Sequence, residues 1–242
     1  MPEVRAVRNF NVKPGTADAF IEEWDPDYDV INGQPGCLQY ELFRSTRNPE
    51  NLAVVEHWET RGAFYSYWKI QSVRPQAGAQ YVDSPENRKV GRAGLEIYWD
   101  QKYYRYDRDA GAWLPAEGER TPEEQGNYPT RLVINMTAKE GMTDAYAEAW
   151  SPHYDEVNAE PGCVQYELFR STRNPENLAM LEHWATRQAF LDHWTLEQTR
   201  TSKTRELSAP REERKVGDAG LEIYYKLQYY TWDGKDWQPS EG

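Results

Sequence analysis

The sequence predicts an α+β fold built twice in one chain: two tandem ferredoxin-like domains whose sheets cover each other within the chain. Three observations predict it. First, PGCLQYELFRSTRNPENLAVVEHWETRGAF at 35–64 returns as PGCVQYELFRSTRNPENLAMLEHWATRQAF at 161–190, so Gly36 corresponds to Gly162. Each unit is then roughly 115 residues, near the commonest domain size and long enough to bury its own core. Second, each unit reads as strand, helix, two strands, helix, strand, with the hydrophobic period switching between 2 and 3.6. Third, the strand face turned away from the helices is half apolar, carrying Phe43 and Val55 beside Gln39 and Glu41. Two equivalent sheets can cover such faces, and fusion makes the pairing intramolecular. The expected boundaries are 1–118 for repeat 1, 119–129 for a polar linker, and 130–242 for repeat 2.

Composition narrows the function classes. Of 242 residues, 38% are hydrophobic and 28% charged, with 10 Trp and 17 Tyr. This is a soluble, aromatic-rich composition, and no run approaches the ~20 apolar residues that span a bilayer. The first residues lack the apolar core of a signal peptide, so the expected location is the cytoplasm, with no membrane partner. A net charge of −12 argues against nucleic acid, whose phosphates require clustered Lys and Arg. Cys37 and Cys163, at equivalent positions, are expected to be free thiols.

In chain order, VRAVRNFNV (4–12) and TRLVINMTA (130–138) read as first strands. A helix opens at Thr16, with Phe20 and Trp24 on one face, and Tyr146 and Trp150 as their counterparts. It is expected to break or kink at WDPDYD and WSPHYD, where a capping residue precedes proline, and to continue to Asn32. Pro35-Gly36 and Pro161-Gly162 lead into CLQYELFRS and CVQYELFRS. On that strand Leu38, Tyr40, Leu42 and Arg44 share one face. A TRNPEN turn and an antiparallel partner follow, with Val54, Glu56 and Trp58 on one face and Ala53, Val55 and His57 on the other. Thr60 opens a second helix. Residues 70–94 are irregular by pattern, whereas 195–207 suit a helix. GLEIYWDQKYYRYD and GLEIYYKLQYYTWD read as long strands that close each repeat and enter an aromatic hairpin, the second turning at Asp233-Gly234.

At PGCLQYELFRS and LAVVEHWETRGAF the chain resembles the antibiotic biosynthesis monooxygenase family of dimeric α+β barrels. The marks are the Pro-Gly entry, the Glu-x-Trp of strand three (Glu56–Trp58, Glu182–Trp184) and the aromatic helix after it. The resemblance covers about 4–100 and 130–226, and the terminal hairpins are additions to it. It implies ferredoxin-like subunits paired face to face, and a cofactor-independent oxygenase using O2 without metal or flavin. The implied substrate is a planar, electron-rich phenol, anthrone or quinol in secondary or quinone metabolism, held between the helices and the outer sheet face. Such a substrate supplies its own electrons once deprotonated, so the protein need only bind it, favour the anion and exclude water.

The carry-over is residue by residue. Trp58 and Trp184 match a pocket-lining tryptophan of the anthrone oxygenases. The asparagine four positions before it is Val54 and Met180 here. Their strand-two tyrosine falls on Leu42 and Leu168, with Tyr40 and Tyr166 two residues away on the same face. Their helix tyrosine falls on Phe64 and Phe190. The histidine that many members carry nine residues after the tryptophan is His193 in repeat 2 and Tyr67 in repeat 1. Heme-degrading members need an axial histidine after helix two, and neither 70–94 nor 194–220 contains one.

The candidates are weighed against plainer roles. Glu56 and Glu182 are either bases with raised pKa or partners of Arg44 and Arg170 on the neighbouring strand. His57 and His183 read as packed residues at the sheet–sheet interface. The four histidines show no metal-ligand spacing, so no metal is expected. Asn9 and Asn135 either satisfy backbone groups or hold a substrate oxygen. The copies differ at Tyr67/His193, Ser66/Asp192, Asp27/His153 and Tyr65/Leu191, which favours one competent pocket. The expectation places it in repeat 2, with His193, Glu182 and Asn135 catalytic. Trp184, Tyr166, Arg170 and Phe190 would contact substrate there, with Trp58, Tyr40 and Tyr67 as the repeat-1 equivalents. The competing reading is a non-catalytic or isomerase-like barrel that binds an aromatic ligand. A further homodimer is left open.

Overall fold

The structure is a computed structural model describing residues 3–100, 102–110, 112–116, 125–201 and 203–240. Of the expected linker, 119–129, residues 119–124 lie outside the described residues. Repeat 1 runs β1 (Val4–Asn11), α1 (Ala17–Asn32), β2 (Cys37–Ser45), β3 (Asn51–Trp58), α2 (Arg61–Gln71) and β4 (Gly94–Tyr98). A hairpin of β5 (Tyr104–Asp107) and β6 (Ala112–Pro115) follows. Repeat 2 runs β7 (Thr130–Thr137), α3 (Thr143–Asn158), β8 (Cys163–Ser171), β9 (Asn177–Trp184), α4 (Arg187–Glu197) and a short α5 (Thr204–Leu207). It ends in β10 (Gly220–Tyr225) and the hairpin β11 (Tyr229–Trp232) and β12 (Trp237–Ser240).

The two sheets form one curled ten-stranded sheet in the order β10-β7-β9-β8-β2-β3-β1-β4-β11-β12. The repeats join edge to edge where β2 meets β8 antiparallel, with Arg44 opposite Arg170. Strand alternation then sorts the side chains. Tyr40, Leu42, Val54 and Trp58 face the helices of repeat 1, and Tyr166, Leu168, Met180 and Trp184 those of repeat 2. Val7, Phe43, Ala53, Val55 and their counterparts Val133, Phe169, Ala179 and Leu181 meet inside the barrel.

The barrel interior also holds a dense ionic network. Arg5 binds Glu222 across the repeats at 2.7 and 2.9 Å, and Arg131 binds Glu96 at 2.6 and 2.9 Å. The Tyr98 and Tyr224 rings stack 4.0 Å apart, each hydroxyl donating to its neighbouring glutamate. His57 and His183 sit on this interior face, as the alternation predicts. Glu3 lies 2.9 Å from His57, yet burial first and then Arg5 push the imidazole down to about 3, so it is neutral. Its Nε2–H donates to Glu3. His183 is likewise pushed down to about 3, by burial and then Arg131.

Three expectations change. The first helix is not broken at proline: α1 is continuous through Pro26, and α3 through Pro152. Pro26 lies on the exposed face, so the carbonyl it leaves unpaired reaches water. The buried stripe of Phe20, Trp24, Tyr28 and Ile31 stays in phase on the other side, and that packing outweighs the local stop signal. Second, the long closing strands are each split, one strand ending at Tyr98 and the next starting at Tyr104, and likewise at Tyr225 and Tyr229. Lys226 takes φ 72°, the left-handed region, at the second split. Third, the hairpins do not complete their own repeats. Trp232 and Trp237 pack into the core of repeat 1, and Tyr104 and Trp113 into that of repeat 2. Each hairpin lies over the second helix of the other repeat, with Trp237 4.5 Å from Trp68 and Trp113 4.7 Å from Trp194.

The turn identical in both copies gains a physical reason. Asn48 donates to Tyr154 and Glu167 of repeat 2, and Asn174 to Tyr28 and Glu41 of repeat 1. Arg173 reaches Asp25 and Asp29, and Arg47 reaches Ser151 and Asp155. Each turn therefore grips the other repeat's first helix and second strand.

Candidate functional site

The Pro-Gly entry sets the geometry. Gly36 and Gly162 take φ of 77° and 81°, and a Cβ on either would stand 2.7 Å from the Cβ of Ala63 or Ala189. Only glycine lets the chain enter β2 and β8 this close to the second helix. Those helices are capped by Thr60 and Thr186, whose hydroxyls accept from Ala63 and Ala189 N–H at 3.1 Å. Tyr67 and His193 are thereby aimed at the helix-facing side of the sheet.

In repeat 1 this side encloses a small cleft between α1, α2 and the strands. Arg8, Trp24, Tyr40, Glu56, Tyr67 and Trp68 line it, and residues 72–82 cover it. Its cavity is about 60 Å³, room for roughly two waters at about 30 Å³ each. Tyr67 stacks on Trp58 at 4.7 Å, and Tyr40 on Trp24 at 5.2 Å. The Trp58 indole donates to Glu56 at 2.9 Å. Burial drives the Glu56 carboxyl up to about 7, against the Trp58 hydrogen bond and the Arg8 and Arg5 charges. Tyr40 and Tyr67 are raised above the ordinary tyrosine range by burial first and Glu56 second.

Repeat 2 brings together four of its expected residues. His193 stacks on Trp184 at 4.5 Å and meets the Tyr166 ring edge-on at 5.7 Å. Trp184 donates to Glu182 at 3.0 Å. Glu182 is raised by burial, opposed first by His193. His193 is engaged elsewhere as well: its Nδ1 meets Glu160 at 2.9 Å, and Glu160 and Glu197 both hold Arg200 at 2.6 Å. Repeat 1 has neutral Gln34 and Gln71 at the positions of Glu160 and Glu197. Ile134 and Met180 replace Arg8 and Val54. The helix side of repeat 2 is thus packed and closed by ion pairs where repeat 1 keeps a cleft.

The remaining expected residues lie apart. Asn135 points into the barrel, between Gln39 at 3.4 Å and Arg214 at 3.1 Å. It is on the opposite sheet face from Glu182, because an odd separation along a strand pair reverses the side. Asn9 accepts from Arg88 in the same interior. Phe190 is fully buried against Trp113 of the swapped hairpin. Arg170 does not pair with Glu182, nor Arg44 with Glu56: they bind Asp144 and Asp18 near the surface. Cys37 and Cys163 are free thiols, pushed up to about 12 by burial and then by Glu56 and Glu182 respectively. Sequence reading missed Arg8. The Arg8/Ile134 difference was visible in the aligned repeats, but nothing in the pattern says that it faces Glu56.

A repeated ferredoxin-like half, curled into a barrel with an aromatic, carboxylate-bearing pocket on the helix side, defines a tandem member of the dimeric α+β barrel class. The sequence model of the family described as antibiotic biosynthesis monooxygenase matches residues 3–69 and 129–203, more than half of the chain. The chain belongs to that family. Curated proteins offer no match. Among solved structures, a protein named "putative monooxygenase" from Fusobacterium nucleatum is similar at 14% identity and TM-score 0.35, over 100% of this chain and 98% of that one. An anthrone oxidase-like protein is similar at 11% identity and TM-score 0.36, over 93% and 92% of the two chains. A conserved protein from Methanosarcina mazei covers 41% of this chain and 94% of its own, at 20% identity and TM-score 0.33. No helix among the described residues is long and apolar enough to cross a membrane.

Proposed function

We propose that the chain is a cofactor-independent monooxygenase for a planar, electron-rich phenol, anthrone or quinol, working in the repeat-1 cleft. The observation that carries this reading is Glu56, a carboxyl buried among Tyr40, Trp58 and Tyr67 with its pKa raised to about 7. At neutral pH such a group both exists as a base and holds a proton once it has taken one. Trp58 fixes its orientation through the indole N–H. Deprotonation of an anthrone CH2 leaves a carbanion that passes an electron to O2. The radical pair combines at carbon, and loss of water from the hydroperoxide leaves a ketone, so CH2 and O2 become C=O and H2O. The aromatic walls of the cleft serve by excluding water from the anion.

A second reading is favoured by one observation. The cavity, about 60 Å³, is far below the ~300 Å³ at which ligand pockets begin. A ligand must displace residues 72–82 to enter. A cleft so nearly filled by its own side chains favours a non-catalytic or isomerase-like module on the same barrel.

Aerobic incubation of the metal-free protein with anthrones, naphthols and quinols separates the two, following oxygen uptake and product mass. Enzyme-dependent gain of oxygen is expected, and Glu56→Gln should slow it by about 100-fold or more. If His193→Ala abolished turnover and Glu56→Gln did not, the chemistry would belong to repeat 2. Tryptophan quenching without oxygen uptake would leave the binding reading.

A further inference from the structure

Arg8 has no role in the reading above. It projects from β1 to the helix-facing side, half-buried, and lines the cleft with Glu56. Its guanidinium lies 5.5 Å over the Phe10 ring. Among the described residues no carboxylate stands within 4.0 Å of it. The other acidic group of the cleft, Asp27, faces Arg74 at 3.8 Å. The contrast with the other large cations of the helix side and barrel is plain. Arg5, Arg131, Arg88 and Arg214 are each paired with a glutamate, and Arg200 with several. A half-buried cation gains from a direct ion pair, and among the described residues Arg8 has none: Glu56 acts on it only through space. Repeat 2 has no such group, because Ile134 stands there.

We propose that Arg8 is the anion-receiving group of the repeat-1 cleft, and that the ligand it selects is an aromatic acid, a planar ring system bearing a carboxylate. The rings take the place beside Tyr40, Trp24 and Tyr67 that residues 72–82 now cover, and the carboxylate meets the guanidinium, whose fork suits it in a bidentate pair. Repeat 2 does not take this ligand. The proposal shares the cleft with the oxygenase reading but stands without any turnover.

A second consequence follows from the neighbours. Glu56 is coupled to Arg8 of β1, Tyr40 and Cys37 of β2 and Tyr67 of α2, shares the cleft with Asp27 of α1, and feels Arg5 of β1 from the opposite sheet face. A carboxylate placed on Arg8 takes away part of the positive field that keeps Glu56 ionised. Binding near neutral pH is therefore accompanied by proton uptake at Glu56.

The test is calorimetric titration of the full chain with 3-hydroxy-2-naphthoate and with 2-naphthol. The naphthoate is expected to bind about tenfold tighter or more, the worth of a charge-assisted hydrogen bond. Arg8→Ile, which installs the repeat-2 residue, should erase that preference and leave 2-naphthol within about twofold. Arg8→Lys should restore part of it. Repeating the naphthoate titration in buffers of different ionisation enthalpy should show proton uptake in the wild type, and Glu56→Gln should abolish it. Equal affinity for the two probes, no binding of either, or an equal loss of both in Arg8→Ile overturns the proposal. If Arg8→Ile fails to fold, the Arg8→Lys and wild-type comparisons still decide. Preference for the naphthoate without any oxygen uptake would sink the oxygenase reading and leave this one standing.

Discussion

Glu56 shows what burial does to a single residue. Its carboxyl ionises at about 7 in the folded chain against 4.5 for an ordinary glutamate. Between those values the folded state binds more protons than the unfolded one. The stabilisation is therefore complete below 4.5 and is lost as the pH rises through 7. Glu56→Gln should flatten this limb, and its unfolding temperature should exceed the wild type's at about pH 8 by more than at about pH 5. His57 and His183 have the opposite sign. They ionise at about 3 when folded against 6.5 otherwise, so stability falls as the pH drops from 6.5 toward 3. A His57→Gln, His183→Gln variant should lose less stability over that interval, read as a shallower fall in unfolding temperature with acid. An unchanged slope would mean that the imidazoles are charged within the barrel.

At the scale of elements, the hairpins and the turns do the joining. The hairpin β11–β12 leaves repeat 2 through Lys226 and lays Trp237 on Phe64 and Trp68 of repeat 1. Trp237→Ala removes a buried indole from the repeat-1 core, where Trp232 of the same hairpin packs beside it at 5.2 Å. It should cost about 3–5 kcal/mol in urea unfolding. Trp113→Ala, its counterpart over Phe190 and Trp194, should cost a similar amount. The turns act through polar groups. Asn174→Ala leaves Glu41 and the Tyr28 hydroxyl short of a donor and should cost about 1–3 kcal/mol. A loss below half a kcal/mol would mean that the turn's identity in both copies has another cause.

At the scale of the molecule, the two repeats are interlocked by exchanged hairpins, reciprocal turns and crossed ion pairs. Arg5→Met alone strands Glu222 in the barrel and should cost about 3–5 kcal/mol. The double variant Arg5→Met, Glu222→Leu should recover much of that loss, because no uncompensated charge remains. Such interlocking predicts one cooperative unfolding transition for the whole chain, seen alike by tryptophan fluorescence and far-ultraviolet dichroism. Two separable transitions would show that the repeats hold their structure independently.

What was legible from the residues has a common physical basis. The repeat, the order of elements, the sorting of Tyr40 from Glu41 and of Glu56 from His57, and the Pro-Gly entry rest on local periodicity or on one residue's backbone freedom. These act within a few residues and are written directly in the sequence. The helix through Pro26 went against the local signal, because the packed stripe on its far side is worth more than one lost hydrogen bond. The exchanged hairpins, the purpose of the repeated turn, the inward aim of Asn135 and the pairing of Arg5 with Glu222 depend on which surface of one repeat meets the other. The cleft beside Glu56, and the Arg8 that faces it, arise the same way. Their partners are distant in the chain, and an aromatic or an arginine has the same local pattern whether it packs on its own repeat or its neighbour. The sequence determined two α+β halves and their faces. Only the tertiary structure decided which half was left open, because that depends on the closing of strands and hairpins contributed by both.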